Sequence, residues 1–360
     1  MEKGFAERRL ENFRSRLAEK GIQAALLTKR ESYIYMSGFT GTSAYLLITQ
    51  DQAVLVTDFR YTEQATAQAP LYRVVQYSGS LMAALNDLLK EMKVSVLGFE
   101  ESDVSYERYL EFKEKLAIGE FVPLGGIVEK LRLVKDTDEI EIMQRAVDIA
   151  DEAYAHILEY IRPGVAEIEI AAEMEYFMKR QGASGASFDI IVASGKRSSM
   201  PHGVASEKKI ELGDAVTLDY GALYHNYCSD ITRTVFVGEP DPELKRIYGI
   251  VLEAQMKSLD GAHRGLTGRE VDDIARSLIA GYGFGRNFGH GLGHGVGLEI
   301  HEEPRFSPSG NTAMENGMVI TVEPGIYVPG QGGVRIEDII VINDEKPHIL
   351  THATKELIIL

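Results

Sequence analysis

The sequence predicts two domains: an α/β domain over residues 1–125 and an α+β domain over residues 126–360. Three observations carry that division. In the first third, short apolar runs alternate with helical patterns, as in a partly parallel sheet covered by helices. Between Gly119 and Asp136, Pro123, Gly125 and Gly126 punctuate the chain. Beyond them, a pair of helical patterns followed by Gly-punctuated strands occurs twice, a loose doubling without a demonstrable sequence repeat.

Residues 3–20 space Phe5, Leu10, Phe13 and Leu17 at helical intervals among charges. Residues 24–27 read as a buried strand. Residues 45–49 and 53–57 flank Gln50-Asp51-Gln52 and read as a hairpin. Helical pattern returns at 61–69, 81–92 and 106–116, with a strand at 94–99. No phosphate-cradling glycine loop follows the first strand, so no nucleotide site is expected. Residues 58–61 read as a strand end with local hydrogen bonds. Acidic residues after Lys135 signal a helix start, and helical patterns cover 139–161 and 168–181. Residues 214–220 and 227–237 read as neighbouring strands joined through 221–226. Helices follow at 243–262 and 268–280. Residues 318–322 read as a strand ending at Glu323-Pro324-Gly325. Residues 333–342 read as one strand with Arg335 and Glu337 on a shared face.

Composition bounds the function. The 360 residues are 44% hydrophobic and 26% charged, ordinary globular values. The net charge of −16, from 38 basic against 54 acidic residues, opposes nucleic acid and anionic membrane surfaces as partners. Cys228 is the single cysteine, which excludes an internal disulfide and fits a reducing compartment. The charged start of the chain lacks an apolar signal core, and no run approaches the roughly 18 apolar residues of a membrane span. A cytoplasmic protein is expected.

The chemistry centres on residues 286–301, RNFGHGLGHGVGLEIH. His290, His294 and His301 stand among five glycines, each of which would cost roughly 1 kcal/mol against Ala inside a helix. Such backbone bends or passes close to something, and its imidazoles suit ligation or proton transfer. Asp219, Asp230, Glu323 and Glu337 fall on strands that otherwise read as core. A buried carboxylate without a partner costs several kcal/mol or titrates to neutral. Arg335 cannot neutralise four. Two divalent ions would, and a neutral His294 adds a ligand without adding charge. Oxygen and imidazole donors suit Mn²⁺, Co²⁺ or Zn²⁺. The absence of thiolate ligands opposes a structural zinc cage. Two ions about 3.5–4 Å apart lower the pKa of a shared water and stabilise a tetrahedral intermediate, which is hydrolytic machinery. Cys228 receives no role; it reads as a small buried hydrophobe.

The segments LDYGA (218–222), SDITRT (229–234), HGLGHGVGLEIHEEP (290–304), TVEPGIY (321–327) and VRIED (334–338), with SMPHG (199–203), closely resemble the Xaa-Pro peptidases. These are prolidase and aminopeptidase P of the pita-bread metallopeptidase group. The resemblance covers about residues 130–360, and residues 1–125 look like the group's smaller N-terminal α/β domain. It implies a creatinase/aminopeptidase-like pita-bread catalytic domain. Asp219 and Asp230 would hold one metal, His294 and Glu323 a second, and Glu337 would bridge, with Asp230 reaching both. His202 and His301 would contact substrate and stabilise the intermediate, and His290 would stand beside the bound substrate. Arg335 would support the ligand carboxylates or the substrate, and Glu323 would also shuttle a proton. Two metal ions per chain are implied, with Mn²⁺ expected and Co²⁺ or Zn²⁺ as alternatives. Small proline-containing peptides are the implied substrates, and a homodimer the implied assembly. The expected activity is Xaa-Pro dipeptidase. Aminopeptidase P acting on longer Xaa-Pro-Xaa peptides is one alternative, and a non-catalytic peptide-binding module is another. Creatinase shares the fold but lacks the metal ligands. Methionine aminopeptidases share the ligands but usually lack the large N-terminal domain.

Overall fold

A computed structural model describes residues 3–360. The chain divides into two compact units, residues 1–132 and 133–360. The division falls after Arg132, so a short helix that follows Gly126 belongs to the first unit rather than the second.

The first unit runs α1 (Lys3–Glu19), β1 (Ala24–Leu27), α2 (Arg30–Ser37), β2 (Tyr45–Thr49), β3 (Ala53–Thr57) and α3 (Thr62–Gln68). It continues with β4 (Arg73–Gln76), α4 (Leu81–Glu91), β5 (Val96–Phe99), α5 (Tyr106–Lys115), β6 (Glu120–Pro123) and α6 (Ile127–Leu131). The strands form one sheet in the order β4-β3-β2-β1-β5-β6. The β1-β2-β3 run is antiparallel, whereas β4, β5 and β6 pair parallel to their neighbours. Ala24, Leu26, Leu47, Val54 and Val56 share one face with Leu85 and Leu89 of α4 and Phe112 of α5. Period-2 apolar residues and helical stripes thus meet in one core. The sequence reading missed α2, β4, β6 and α6. In α2, six consecutive residues from Ser32 to Ser37 are buried, so no polar face exists to give a helical period.

The second unit opens with α7 (Thr137–Ile157) and α8 (Glu167–Arg180). Asp136 caps α7: its side chain accepts from Glu139 N–H while Glu139 accepts from Asp136 N–H, both at 3.0 Å. Then come β7 (Gly185–Ala186), β8 (Ile191–Ser194), β9 (Ala215–Tyr220), β10 (Ala222–Tyr224), β11 (Tyr227–Cys228) and β12 (Ile231–Phe236). A second helix pair follows, α9 (Pro242–Gly261) and α10 (Gly268–Gly281). The remaining strands are β13 (Gly293–Gly295), β14 (Glu302–Phe306), β15 (Val319–Val322), β16 (Gly325–Val328), β17 (Gly332–Arg335), β18 (Asp338–Val341) and β19 (His348–Ile349).

The doubling has a physical counterpart in two cores. Ile149, Ala153 and Met174 of the first helix pair pack on Val192, Leu218 and Val235. Val251, Ala275 and Ile279 of the second pair pack on Ile320, Val322 and Ile340. The sheets are β12-β9-β8 and β11-β10-β7 on one side and β14-β13-β15-β18-β19 on the other, with a β16-β17 hairpin.

Two strand expectations are corrected. Residues 227–237 are two strands, interrupted at Ser229-Asp230, with β11 pairing β10 and β12 pairing β9. Residues 333–342 are likewise two. β17 pairs β16, β18 pairs β15, and Ile336 and Glu337 lie where the chain passes from one sheet to the other. Each break coincides with two polar residues in succession, Ser229-Asp230 and Glu337-Asp338, a lapse in alternation too short to end a strand by pattern alone.

Candidate metal centre

The two breaks bring carboxylates together. Glu337 N–H donates to Thr232 O at 3.1 Å, which ties the β17–β18 junction to β12 just beyond Asp230. Asp219 of β9 pairs directly with Thr232, so the two side chains share a face. Thr232 Oγ1 then donates to Glu337 Oε2 at 2.7 Å. Asp230 and Glu337 are buried, and so is His294 at the centre of β13.

β13 delivers His294 on backbone that has no room for side chains beside it. A Cβ at Gly293 would stand 1.9 Å from Thr321 O, and one at Gly295 would stand 2.3 Å from Glu303 O. Only glycine permits that approach. His294 N–H donates to Thr321 Oγ1 at 3.0 Å, and Nδ1 lies 3.1 Å from Gly295 O. A carbonyl oxygen only accepts, so Nδ1 carries the proton and Nε2 presents a lone pair. That nitrogen lies 3.3 Å from Glu323 Oε1 and 3.6 Å from Asp230 Oδ2. Burial lowers the His294 pKa to about 3, so the ring is neutral. A lone pair facing carboxylate oxygens is repulsive unless a cation lies between them. Asp230, His294 and Glu337 each offer a ligand atom within 4.8 Å of the others, which is a donor set that fits a divalent ion.

The carboxylates state the same demand. Burial, and then repulsion by Glu337, Asp219 and Glu323, holds Asp230 well above the usual carboxylate range. Burial followed by Glu323 and Asp219 does the same to Glu337. Glu323 is pushed up to about 8, chiefly by burial and partly opposed by Arg335. Arg335 touches this cluster through one carboxylate, donating from Nη2 to Asp219 Oδ2 at 2.5 Å. Its Nε donates to Thr232 Oγ1 at 3.1 Å and its Nη1 to Tyr327 OH at 2.7 Å. One guanidinium against four carboxylates leaves a deficit of positive charge that only further cations or protons make good.

All the residues singled out in the sequence line one cleft of about 600 Å³, His202, His290, His301 and Arg335 among them. His202 and His301 are exposed at its rim, and the His301 ring stands edge-on to His294 at 4.4 Å between centroids. His290 is held neutral: burial and then Arg335 lower it to about 4. Its Nε2 lies 2.9 Å from Tyr327 OH. Phe188, Ile191, Val204 and Ile300 give the cleft an apolar wall. Among the lining residues without a role from the sequence are Tyr327 and Arg305. Tyr327 lies inside the quoted TVEPGIY segment, where it is given no role. Arg305 of β14 lines the cleft, and no spacing rule marks it.

Residues 141–344 match metallopeptidase family M24, and residues 9–134 match the creatinase/prolidase N-terminal domain. The chain is 43% identical to an Xaa-Pro dipeptidase of Pyrococcus furiosus over 97% of its own length and 99% of the relative's. It superposes on the structure of an Xaa-Pro dipeptidase from Bacillus anthracis with a TM-score of 0.97 at 53% identity, covering 99% of this chain and 100% of that one. An X-Pro aminopeptidase from Thermotoga maritima gives 0.91 at 39% identity, covering 98% and 99%. A fold of two such units, a cleft lined by neutral imidazoles and desolvated carboxylates, and full-length likeness to these enzymes lead to one assignment: the chain belongs to metallopeptidase family M24.

Proposed function

We propose that this protein is an Xaa-Pro dipeptidase, in which Asp219, Asp230, His294, Glu323 and Glu337 hold two divalent metal ions, with Mn²⁺ the expected ion. The observation that carries the reading is the convergence of buried Asp230, His294 and Glu337 donor atoms, with Glu323 in contact with His294. Bound there, divalent ions supply a polarised carbonyl and a water of lowered pKa. The chain's own residues do the rest. Glu323 takes a proton from the attacking water and passes it to the departing proline nitrogen. His202 and His301 at the rim donate to the oxygen that gathers negative charge. The wall of Phe188, Ile191, Val204 and Ile300 packs the pyrrolidine ring and excludes water from it.

The dipeptidase reading is favoured over aminopeptidase P by Arg305. Its guanidinium faces the cleft, and its nearest carboxylate, Glu303, stands 3.8 Å away. A free proline carboxylate would engage it more closely, as guanidinium forks pair carboxylates. Hydrolysis of Xaa-Pro against Xaa-Pro-Xaa, with metal added back to stripped protein, tests this. Cleavage confined to the longer peptides overturns the dipeptidase reading, and about two metals per chain supports the dinuclear site. A cytoplasmic location and a homodimer belong to the same proposal. The lone, buried Cys228 supports a reducing compartment, and sedimentation at twice the 39.9 kDa chain mass is the test of the dimer.

A further inference from the structure

The segment before β13 has an anchor that the site does not explain. Gly289 and Gly291 flank His290, so neither residue next to it in the chain supplies a side chain to brace it. Its backbone is held instead from α10. Asp272, completely buried, and Arg276, one helical turn later, form a two-pronged ion pair with N···O distances of 2.6 and 2.9 Å. Arg276 Nη1 donates to Phe288 O at 3.1 Å and Nη2 to His290 O at 2.8 Å. Asp272 Oδ1 accepts from Leu292 N–H at 2.9 Å. Backbone groups of residues 288, 290 and 292 are thus gripped in turn by one ion pair. The ion pair does the work of a neighbouring strand. Arg276 also covers the ring of Phe288, with its guanidinium carbon 4.5 Å from the centroid, and Phe288 meets the His290 ring edge-on at 5.1 Å.

On the far side of the cleft wall the consequence is specific. His290 Nδ1 lies 2.8 Å from Gly291 O, an acceptor, so Nδ1 carries the proton. Tyr327 OH already accepts from Arg335 and therefore donates its own proton to His290 Nε2. This arrangement exists only while the 288–292 backbone keeps its place. An isolated i,i+4 pair on a helix surface contributes a few tenths of a kcal/mol; this one spends its donors and acceptors on three backbone groups of a different segment.

We infer that Asp272 and Arg276 are positioning residues for the peptidase reaction, holding the His290 imidazole in one place and one tautomer against Tyr327. The inference rests on the reading of His290 as a group beside the substrate. It assigns a functional consequence to an ion pair outside the cleft. A displacement of about 1 Å in a positioned group can cost on the order of 100-fold in rate.

The test uses the full chain with Arg276→Met, Arg276→Lys, His290→Ala and the double variant Arg276→Met/His290→Ala. Imidazole ¹⁵N resonances of the wild type should show a single Nδ1-protonated His290. In Arg276→Met they should average between tautomers, while bound metal measured by calorimetry stays at the wild-type stoichiometry. For Xaa-Pro hydrolysis, kcat should fall about 10- to 100-fold with KM within about two-fold. The double variant should be no slower than His290→Ala alone, because both remove the same contribution. Arg276→Lys keeps the charge but cannot reach the carboxylate and both carbonyls together, so it should recover only part of the rate. It carries the test should Arg276→Met fail to fold. Multiplying rate losses in the double variant, or an unchanged His290 tautomer in both Arg276 variants, would overturn the inference. If the wild type proved inactive on Xaa-Pro, the tautomer readout would still decide the positioning claim while the substrate reading fell by itself.

Discussion

Glu337 and Asp338 are consecutive residues, both buried carboxylates, and they live in opposite electrostatic worlds. Asp338 accepts from Arg233 Nη2 at 2.8 Å, Lys355 Nζ at 2.6 Å and Gln255 Nε2 at 2.7 Å. Burial raises its pKa, but Arg233 and Lys355 outweigh that and hold it below the ordinary value. Glu337 faces Asp219, Asp230 and Glu323, and its pKa is held far above the ordinary value. The β17–β18 junction separates them: one side chain enters a neighbourhood that supplies its own cations, the other a neighbourhood that leaves them out. The contrast teaches how to tell a structural buried acid from a metal-binding one. The first is neutralised by side chains; the second gathers further acids and a neutral imidazole.

The largest way to break this comparison is Asp230→Ala. Activity on Xaa-Pro should fall by at least about 1,000-fold, while the metal-stripped variant should unfold at the same temperature as the stripped wild type or higher, since a repulsive buried charge has gone. A drop in the stripped variant's Tm would mean that Asp230 is neutralised by the protein itself. Asp338→Asn should behave in reverse. It leaves Arg233 and Lys355 short of a counter-charge and should cost about 3–5 kcal/mol in chemical denaturation, with or without metal.

pH sharpens the contrast, because the two regions give slopes of opposite sign. Glu323 has its folded pKa raised from 4.5 to about 8. Its contribution is present below the unfolded value and is lost as pH rises from about 4.5 to 8 in metal-free protein. Asp338 has its folded pKa lowered, so its contribution is present above the unfolded 3.8 and is lost as pH falls through the folded value. Thermal melts of stripped protein should therefore decline from pH 5 to pH 8, and saturating Mn²⁺ should flatten that decline. A decline that Mn²⁺ leaves unchanged would assign it to other groups. The smallest effect expected is at the rim. Arg305→Met should raise KM for Xaa-Pro about ten-fold, the equivalent of one charged hydrogen bond, and leave Xaa-Pro amide nearly untouched. Equal effects on both substrates would remove Arg305 from carboxylate recognition.

The sequence was most readable where chemistry forces a residue type and least where position in space decides. The His294 glycine context and the four acidic positions stand out because buried acids are improbable without a cause, and the structure brings them into one cleft. The breaks that turn Asp230 and Glu337 inward left only a slight trace, two adjacent polar residues at Ser229-Asp230 and Glu337-Asp338. Helix α2 was missed because RESYIYMS is rich in strand formers and buried over six consecutive residues. β4 and β6 were missed as four-residue edge strands with exposed ends and no fully buried residue to set a period. Arg305 and the Asp272–Arg276 pair were beyond reach for a different reason. An i,i+4 pair is visible in the sequence, but the backbone groups of Phe288, His290 and Leu292 that it holds lie outside its helix, and nothing local marks Arg305 as a cleft residue.

The glycines of β13 set a boundary on how this enzyme can be altered. At 293 and 295 any larger residue would collide with main chain rather than with a side chain that can swing aside. A library randomised there should return the parent codons alone. New substrate preference must then be sought at the lip, among Val204, Ile300 and Arg305, where variation leaves the ribbon beneath undisturbed.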